Sequence, residues 1–121
     1  MKNMLILITA LSFLSLPMLV FAEEMPMSFP MIEGSNAEAH KHNEEGIMHY
    51  NKGNFEEALK HFSMASKIDS GVGESHFNEA LCLDKIGKHG DATMHFKAAK
   101  KNAHGNDKII NSAILNAHIG M

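Results

Sequence analysis

Histidine and methionine are the residue types in this chain whose side chains suggest a specific chemistry. The 121-residue sequence contains nine histidines, and the methionine-rich stretch Met25-Pro-Met27 precedes His40 and His42. Thioether sulfur suits Cu(I), and imidazole suits Cu(II) or zinc. The candidate metal ligands of a copper or zinc protein are therefore Met25, Met27, Met31, His40, His42 and His76.

Two of these histidines are each followed by a glutamate at the third position, in the pairs His42-x-x-Glu45 and His76-x-x-Glu79. On a helix this spacing places an imidazole and a carboxylate one turn apart. A metal site shared between two adjacent helices is therefore geometrically possible. However, no three histidines have the close spacing of structural zinc sites. We therefore expect no cofactor, and a copper- or zinc-binding function is the alternative interpretation.

Other functional classes have weaker support. The lone cysteine, Cys82, lies between Leu81 and Leu83, which predicts a buried thiol rather than a nucleophile. No glycine-rich phosphate loop and no nucleophile elbow is present, so we do not expect an enzyme. The formal net charge is −3 and the sequence has no arginine, which argues against binding to nucleic acid.

The segment 1–22 has the pattern of a secretory signal peptide. Lys2 precedes an apolar run that ends in Val20-Phe-Ala22, with small residues at the positions required for cleavage after Ala22. An uncleaved membrane anchor is the alternative, but Pro17 interrupts the run. We therefore expect a periplasmic or secreted protein for which the membrane is only the export route.

Helical periodicity begins after a Met- and Pro-rich segment, residues 23–34, that is predicted to be a flexible arm. Ser35 with Glu38, and Asn54 with Glu57, have the spacing of capping boxes that start the first two helices. Helical runs are predicted from these caps to Lys52 and to about residue 68, and then at about 74–86, 89–102 and 107–119. No segment alternates with a period of two, so the expected class is all-α.

The sequence repeats itself at a constant offset, equal to the separation between Gly53 and Gly87. Small residues, glycines and a phenylalanine recur at fixed places within each unit. The matching pairs are His42/His76, Glu45/Glu79, Gly53/Gly87, Ala58/Ala92, His61/His95, Phe62/Phe96, Ala65/Ala99 and Gly71/Gly105.

These positions resemble the tetratricopeptide repeat (TPR), in which small residues let two antiparallel helices approach, an aromatic side chain fills the space between them, and glycine forms the turn. The resemblance implies an α-α superhelix of two TPR hairpins, at about residues 39–72 and 73–106, plus a C-terminal solvating helix at 107–119. Residues 35–121 would form this domain. The sequence departs from the family at Glu45 and Glu79, where leucine is usual, and at His42 and His76, where tryptophan is frequent.

The resemblance also implies a noncatalytic scaffold whose first helices line a concave groove for a protein or peptide partner. By their place in the repeat, the residues of this groove are His40, Asn43, Ile47, Tyr50, Phe77, Leu81, Lys85, Asn111 and Leu115. Ile47, Leu81 and Leu115 occupy equivalent positions in successive units and are predicted to form an apolar row, which suits an extended peptide or an amphipathic helix.

Two other occupants of the groove remain open. The arm of the chain itself, with its methionines and Phe29, and a second copy of the chain in a homo-oligomer could each cover the row. A chaperone-tail ligand held by a carboxylate clamp is not expected, because Asn78 has a suitable position but Glu74 is acidic where a basic residue is needed.

Overall fold

The structure is a computed structural model that describes residues 23–120. It contains six helices: α1 (Ala37–Asn51), α2 (Phe55–Ile68), α3 (Gly73–Lys85), α4 (His89–Lys101), α5 (Asp107–Ile110) and α6 (Ala113–Ile119). No strand occurs within the described residues, so the predicted all-α class is confirmed. The predicted signal peptide and its cleavage site lie outside the described residues. None of the described helices combines the length and apolar character needed to cross a membrane.

Two helical hairpins form the body of the protein. Helices α1 and α2 pack against each other, as do α3 and α4, and α2 packs against α3 to join the hairpins. Gly53 and Gly87 turn the two hairpins with φ angles of +78° and +83°. Side-chain-bearing residues rarely adopt this left-handed conformation, so glycine at these repeat positions has a backbone reason.

Small residues permit the close approach of the helices. A Cβ atom at Gly46 would lie 2.5 Å from two ring atoms of Phe62, which is itself completely buried. The repeated alanines of α2 and α4 are also fully buried, as the packing interpretation of the repeat predicted. These residues are Ala58, Ala65, Ala92 and Ala99.

The two predicted capping boxes are not formed. Helix α1 is capped by Asn36, whose Oδ1 accepts from the backbone N–H groups of Glu38 and Ala39 at 3.0 Å. Ser35 instead accepts from the backbone N–H of Ile32 at 3.0 Å and so closes the turn before the helix. Asn54 is the N-cap of α2, but its side chain makes no capping hydrogen bond. Asparagine is as good a cap as serine, so two adjacent candidates compete for one position.

The single helix predicted at residues 107–119 is in fact two helices. Asn106 caps α5, and Ser112 caps α6 by accepting from the backbone N–H of Leu115 at 3.1 Å. A serine that caps a new helix has extended backbone dihedrals, which interrupts the preceding helix. Helix α6 then packs against α4, with Leu115 fully buried.

The core is continuous along both hairpins and α6. Cys82 lies in it and is fully buried, as predicted. Burial, with smaller contributions from the charges of Glu79 and Glu56, raises the pKa of the Cys82 thiol to about 12. The thiol is therefore protonated and unreactive near neutral pH.

Candidate functional site

The arm, residues 23–34, lies across the side of α1 and α3 that carries Asn43 and Asn78, which we call the groove face. The contact is made through the backbone of Met27. Its N–H donates to Asn78 Oδ1 at 2.7 Å, and its carbonyl accepts from Asn78 Nδ2 at 2.8 Å and from Asn43 Nδ2 at 2.9 Å. Both polar backbone groups of Met27 are therefore satisfied by two side chains from different hairpins.

The two asparagines are held in place by one another. Asn78 Nδ2 also donates to Asn43 Oδ1 at 2.9 Å, and the hydroxyl of Ser75 donates to the same oxygen at 3.3 Å. All three side chains are completely buried. A buried polar network of this kind fixes the orientation of its members, because an unpaired amide group in this position would be costly.

Side chains of the arm make further contacts with α1. Phe29 is only 6% exposed, and its ring meets that of His40 edge to face at 5.2 Å between centroids. Met27 packs against the hydrophobic core, and Ser28 hydrogen-bonds to Glu44. Met27 and Phe29 therefore both face the helices, whereas Ser28 between them is exposed.

The acidic start of the arm reaches α3 and α6. Glu23 pairs with Lys85, while Glu24 accepts hydrogen bonds from the hydroxyl of Ser112 and from the backbone N–H of Ala113, the latter at 2.7 Å. The segment that was predicted to be a flexible arm is thus hydrogen-bonded to α1, α3 and the start of α6, although it contains no helix or strand.

The predicted groove residues separate into two groups. Tyr50, Phe77, Leu81 and Leu115 are buried in the core, and Ile47 is partly buried against it. The predicted apolar row is therefore not an exposed surface. The polar members His40, Asn43 and Lys85 contact the arm, and Asn111 is exposed at the end of α5.

Two clefts remain beside the arm. One, of about 580 Å³, is bounded by the arm and by α1, α3 and α6, with Leu81, Lys85 and Ile114 in its wall. The other, of about 820 Å³, lies between residues 24–28 of the arm and the segment around α5, including Asn111. The arm therefore covers only part of the surface between the first helices and α6.

A cluster of histidine and glutamate lies between the two helices of the first hairpin. His42 and Glu45 of α1 face His61 of α2. The two histidine Nδ1 atoms are 3.3 Å apart, and Glu45 Oε2 lies 3.5 Å from that of His42 and 3.1 Å from that of His61. We call this group the first triad.

The second hairpin repeats the arrangement. His76 and Glu79 of α3 face His95 of α4, with Glu79 Oε2 at 3.6 Å from His76 Nδ1 and at 3.2 Å from His95 Nδ1. This second triad is more deeply buried, because the side chain of Glu79 is only 4% exposed. Its members occupy the same positions in the second repeat unit as those of the first triad do in the first unit.

Glu79 is ionised within this second triad. Burial disfavours its charge, but the interactions with His76, His95 and the hydroxyl of Ser66, which donates to Oε2 at 2.8 Å, outweigh burial and lower the pKa of Glu79 to about 2. Contact with Glu79 in turn raises the pKa of His76, although burial acts in the opposite direction. Glu79 is thus a buried charge with its own partners.

The predicted metal ligands do not assemble as a single site. Met25 and Met31 are each 52% exposed, Met27 is partly buried and packs against the core, and His40 packs on Phe29. His42 and His76 belong to separate triads, and each triad is completed within its own hairpin. The site shared between first helices, which the sequence permitted, is therefore not formed.

Sequence reasoning did not identify His61 and His95 as partners of the glutamates. Their signal was present, because the two histidines are matched to each other in the repeat. Two further mixed groups have ligand atoms within 4.8 Å of one another: His49, Glu57 and His61, and Asp84, His89 and His118.

Glu24 and Ser112, which connect the arm to α6, were also not predicted.

Comparison of the chain with protein-family models, with curated proteins and with solved structures finds no match. The resemblance to tetratricopeptide repeats therefore rests on the residues of this sequence alone and stays a prediction.

Proposed function

We propose that this protein is an exported, noncatalytic scaffold of the tetratricopeptide type that binds an extended segment of a partner protein on its groove face. The observation that carries this proposal is the hydrogen bonding of both backbone groups of Met27 by Asn43 and Asn78. Contacts to backbone recognise an extended chain of almost any sequence. In the proposal, the arm holds this position while no partner is bound.

The chemistry of the arm indicates the chemistry of the partner segment. Met27 and Phe29 are two apolar side chains separated by one residue, and they pack against the helices. The acidic Glu23 pairs with Lys85, and Glu24 accepts from the hydroxyl of Ser112 and from the first N–H group of α6. The favoured ligand is therefore an extended segment with acidic residues followed by two alternate apolar side chains.

The open clefts support an external partner over permanent occupation by the arm. The cleft of about 580 Å³ beside Leu81 has both apolar and charged walls, and the arm forms only one side of it. A partner segment that displaced the arm would gain this additional surface, because the cleft continues from the face that the arm uses. A cleft whose walls combine apolar and charged side chains is the usual form of a ligand-binding site.

The test of this proposal releases the arm from the groove face and supplies the arm sequence as a separate peptide. The substitutions Met27→Asp and Phe29→Asp, made together in residues 23–121, place charges where the arm packs against the helices and are expected to release it. A labelled peptide with the unaltered sequence of residues 23–34 is then titrated, with fluorescence anisotropy as the readout. In the intact protein the chain tethers the arm to its site at an effective concentration of the order of 1 mM. An arm that stays bound under this condition must bind as a free peptide with a Kd below about 1 mM.

Saturable binding of the unaltered peptide, lost when Asn43 and Asn78 are both replaced by alanine, is the expected result. The matched control is a peptide that carries aspartate in place of Met27 and Phe29, which must not bind. Absence of saturable binding, or equal binding of both peptides, would show that this face does not recognise an extended apolar segment.

A further inference from the structure

The two triads have the composition of a metal site. Each supplies two imidazole nitrogens and one carboxylate, in the order His-x₂-Glu-x₁₅-His, once in each hairpin. Two histidines and a glutamate form one of the ligand sets used by zinc, with the fourth position left to water or a substrate. The helix pairing that creates the hairpin also brings these residues together.

The distances in the first triad fit a tetrahedral ion. Ligands at about 2.0–2.1 Å from a tetrahedral zinc lie about 3.3–3.4 Å from one another. The three separations among His42 Nδ1, His61 Nδ1 and Glu45 Oε2 are 3.3, 3.5 and 3.1 Å. A square-planar Cu(II) centre would require neighbours at about 2.8 Å and an opposite pair at about 4.0 Å, which these distances do not match.

The second triad has the supporting contacts of a ligand set. His76 donates its Nε2–H to the carbonyl of Ser70 at 2.8 Å, so the neutral imidazole that can bind a metal carries its lone pair on Nδ1, the atom that faces Glu79. His76 Nδ1 is buried and has no hydrogen-bond partner among residues 23–120. Ser66 donates to Glu79 and orients it. Outer hydrogen bonds of this kind fix the tautomer and the position of metal-binding residues.

Both triads are accessible from solvent. The side chain of His95 is 33% exposed, and those of His42 and His61 are 19% and 17% exposed. A cation would reach the second triad past His95, because Nδ1 of His76 and the side chain of Glu79 are buried, and water would complete the coordination. None of the six residues belongs to the arm, so zinc binding at the triads does not depend on occupation of the groove face.

From this geometry we propose that the protein binds two zinc ions, one at His42, Glu45 and His61 and one at His76, Glu79 and His95. Each ion joins the two helices of one hairpin. Zinc binding would then replace the histidine–glutamate contacts of the metal-free hairpin with bonds from three fixed donors, and it would stabilise each repeat separately.

The test measures zinc stoichiometry on residues 23–121 freed of metal with a chelator. Isothermal titration with Zn²⁺, checked by native mass spectrometry, is expected to give two equivalents. His61→Gln and His95→Gln are each expected to retain one equivalent and to weaken the altered site at least about 100-fold. His40→Gln and His104→Gln, which alter histidines outside both triads and in no other group of candidate ligands, are the matched controls and are expected to retain two.

Fewer than two equivalents in the unaltered protein would overturn the proposal, and so would two equivalents in the variant that combines His61→Gln with His95→Gln. If the variants fail to fold by circular dichroism, Co²⁺ binding to the unaltered protein decides the question. Intense visible absorption typical of tetrahedral cobalt is expected, whereas the weak absorption of octahedral cobalt would refute the predicted geometry.

Discussion

Replacement of Asn78 by alanine tests how the groove face holds an extended chain. The substitution removes the acceptor of the Met27 N–H and one of the two donors to the Met27 carbonyl. It also removes the hydrogen bond to Asn43 Oδ1, which keeps only its contact with Ser75. A buried or partly buried N–H left without a partner costs about 1–3 kcal/mol.

This free energy translates into an exchange rate. If the arm opens and closes quickly, the Met27 amide exchanges with solvent in proportion to the fraction of time that the arm is open. Destabilisation of the bound arm by about 1–3 kcal/mol would raise this fraction, and the exchange rate, about 5- to 150-fold, up to the rate of a free peptide. Hydrogen–deuterium exchange followed by NMR measures this rate for the single amide.

Two internal controls separate a local effect from a general loss of stability. Asn102→Ala removes a side-chain hydrogen bond to the carbonyl of Ala98, away from the arm, and is expected to leave Met27 exchange unchanged. The amide of Phe96, in the core, reports global opening. If Met27 exchanges at the same rate in the unaltered protein and in Asn78→Ala while Phe96 remains protected, Asn78 does not hold the arm.

Three further predictions concern the fold. Gly46→Ala places a methyl group 2.5 Å from the ring of Phe62 and is expected to lower the free energy of unfolding by about 1–3 kcal/mol in urea denaturation. Cys82, with its pKa raised to about 12, is expected to react with a disulfide reagent at pH 8 at least about 100-fold more slowly in the native protein than in urea. The difference between this pKa and the ordinary cysteine pKa of 9.0 stabilises the folded protein. This stabilisation is complete below pH 9.0 and is lost as pH rises toward 12. Ser112→Ala removes the cap of α6 and is expected to cost about 1 kcal/mol by thermal unfolding.

Each of these has a result that would contradict it. Gly90→Ala is the control for Gly46, because no atom lies within 4 Å of an added Cβ there, and alanine is expected to stabilise α4 by about 0.5–1 kcal/mol. Equal effects at the two glycines would refute the packing argument. A Cys82 thiol that reacts equally fast in native and denatured protein would refute its burial. An unchanged melting temperature in Ser112→Ala would show that this serine does not hold the start of α6.

The repeat could be predicted from the sequence because it depends on residue size. Gly46, Phe62 and the repeated alanines act through steric exclusion, which the residue type alone determines. The hairpin glycines are similar, since a positive φ at Gly53 and Gly87 strongly favours this residue. These local requirements recur in each hairpin, so they appear in the sequence as matched residues at a constant offset.

The predictions of two capping boxes and of one helix at residues 107–119 were wrong. In both cases more than one residue could satisfy the same backbone groups. Ser35 and Asn36 are both good caps, and only the turn to Ile32 decides between them. Ser112 could have continued a helix, but as a cap it separates α5 from α6. Helix periodicity does not report such choices, because Ile110, Ile114 and the neighbouring alanines fit one continuous helix equally well.

The candidate site could be predicted only in part, because its contacts join residues of different helices. His42 and His76 were identified, but their partners His61 and His95 come from the other helix of each hairpin and are distant in sequence. Likewise, the arm has no periodicity of its own. Its place on the groove face follows from the backbone of Met27, and a backbone group carries no sequence signal.

Site-specific photo-cross-linking in the source organism tests the central claim, that the groove face binds a partner protein, most directly. A benzophenone amino acid at Ala117, exposed in the wall of the open cleft, reports on this surface, and one at Lys60, exposed on α2, reports on a surface outside the proposed site. A specific adduct with a different protein from position 117, absent from position 60 and reduced by replacement of Asn43 and Asn78 with alanine, is the predicted result. Adducts only with a second copy of the chain, or the same adducts from both positions, would contradict the account.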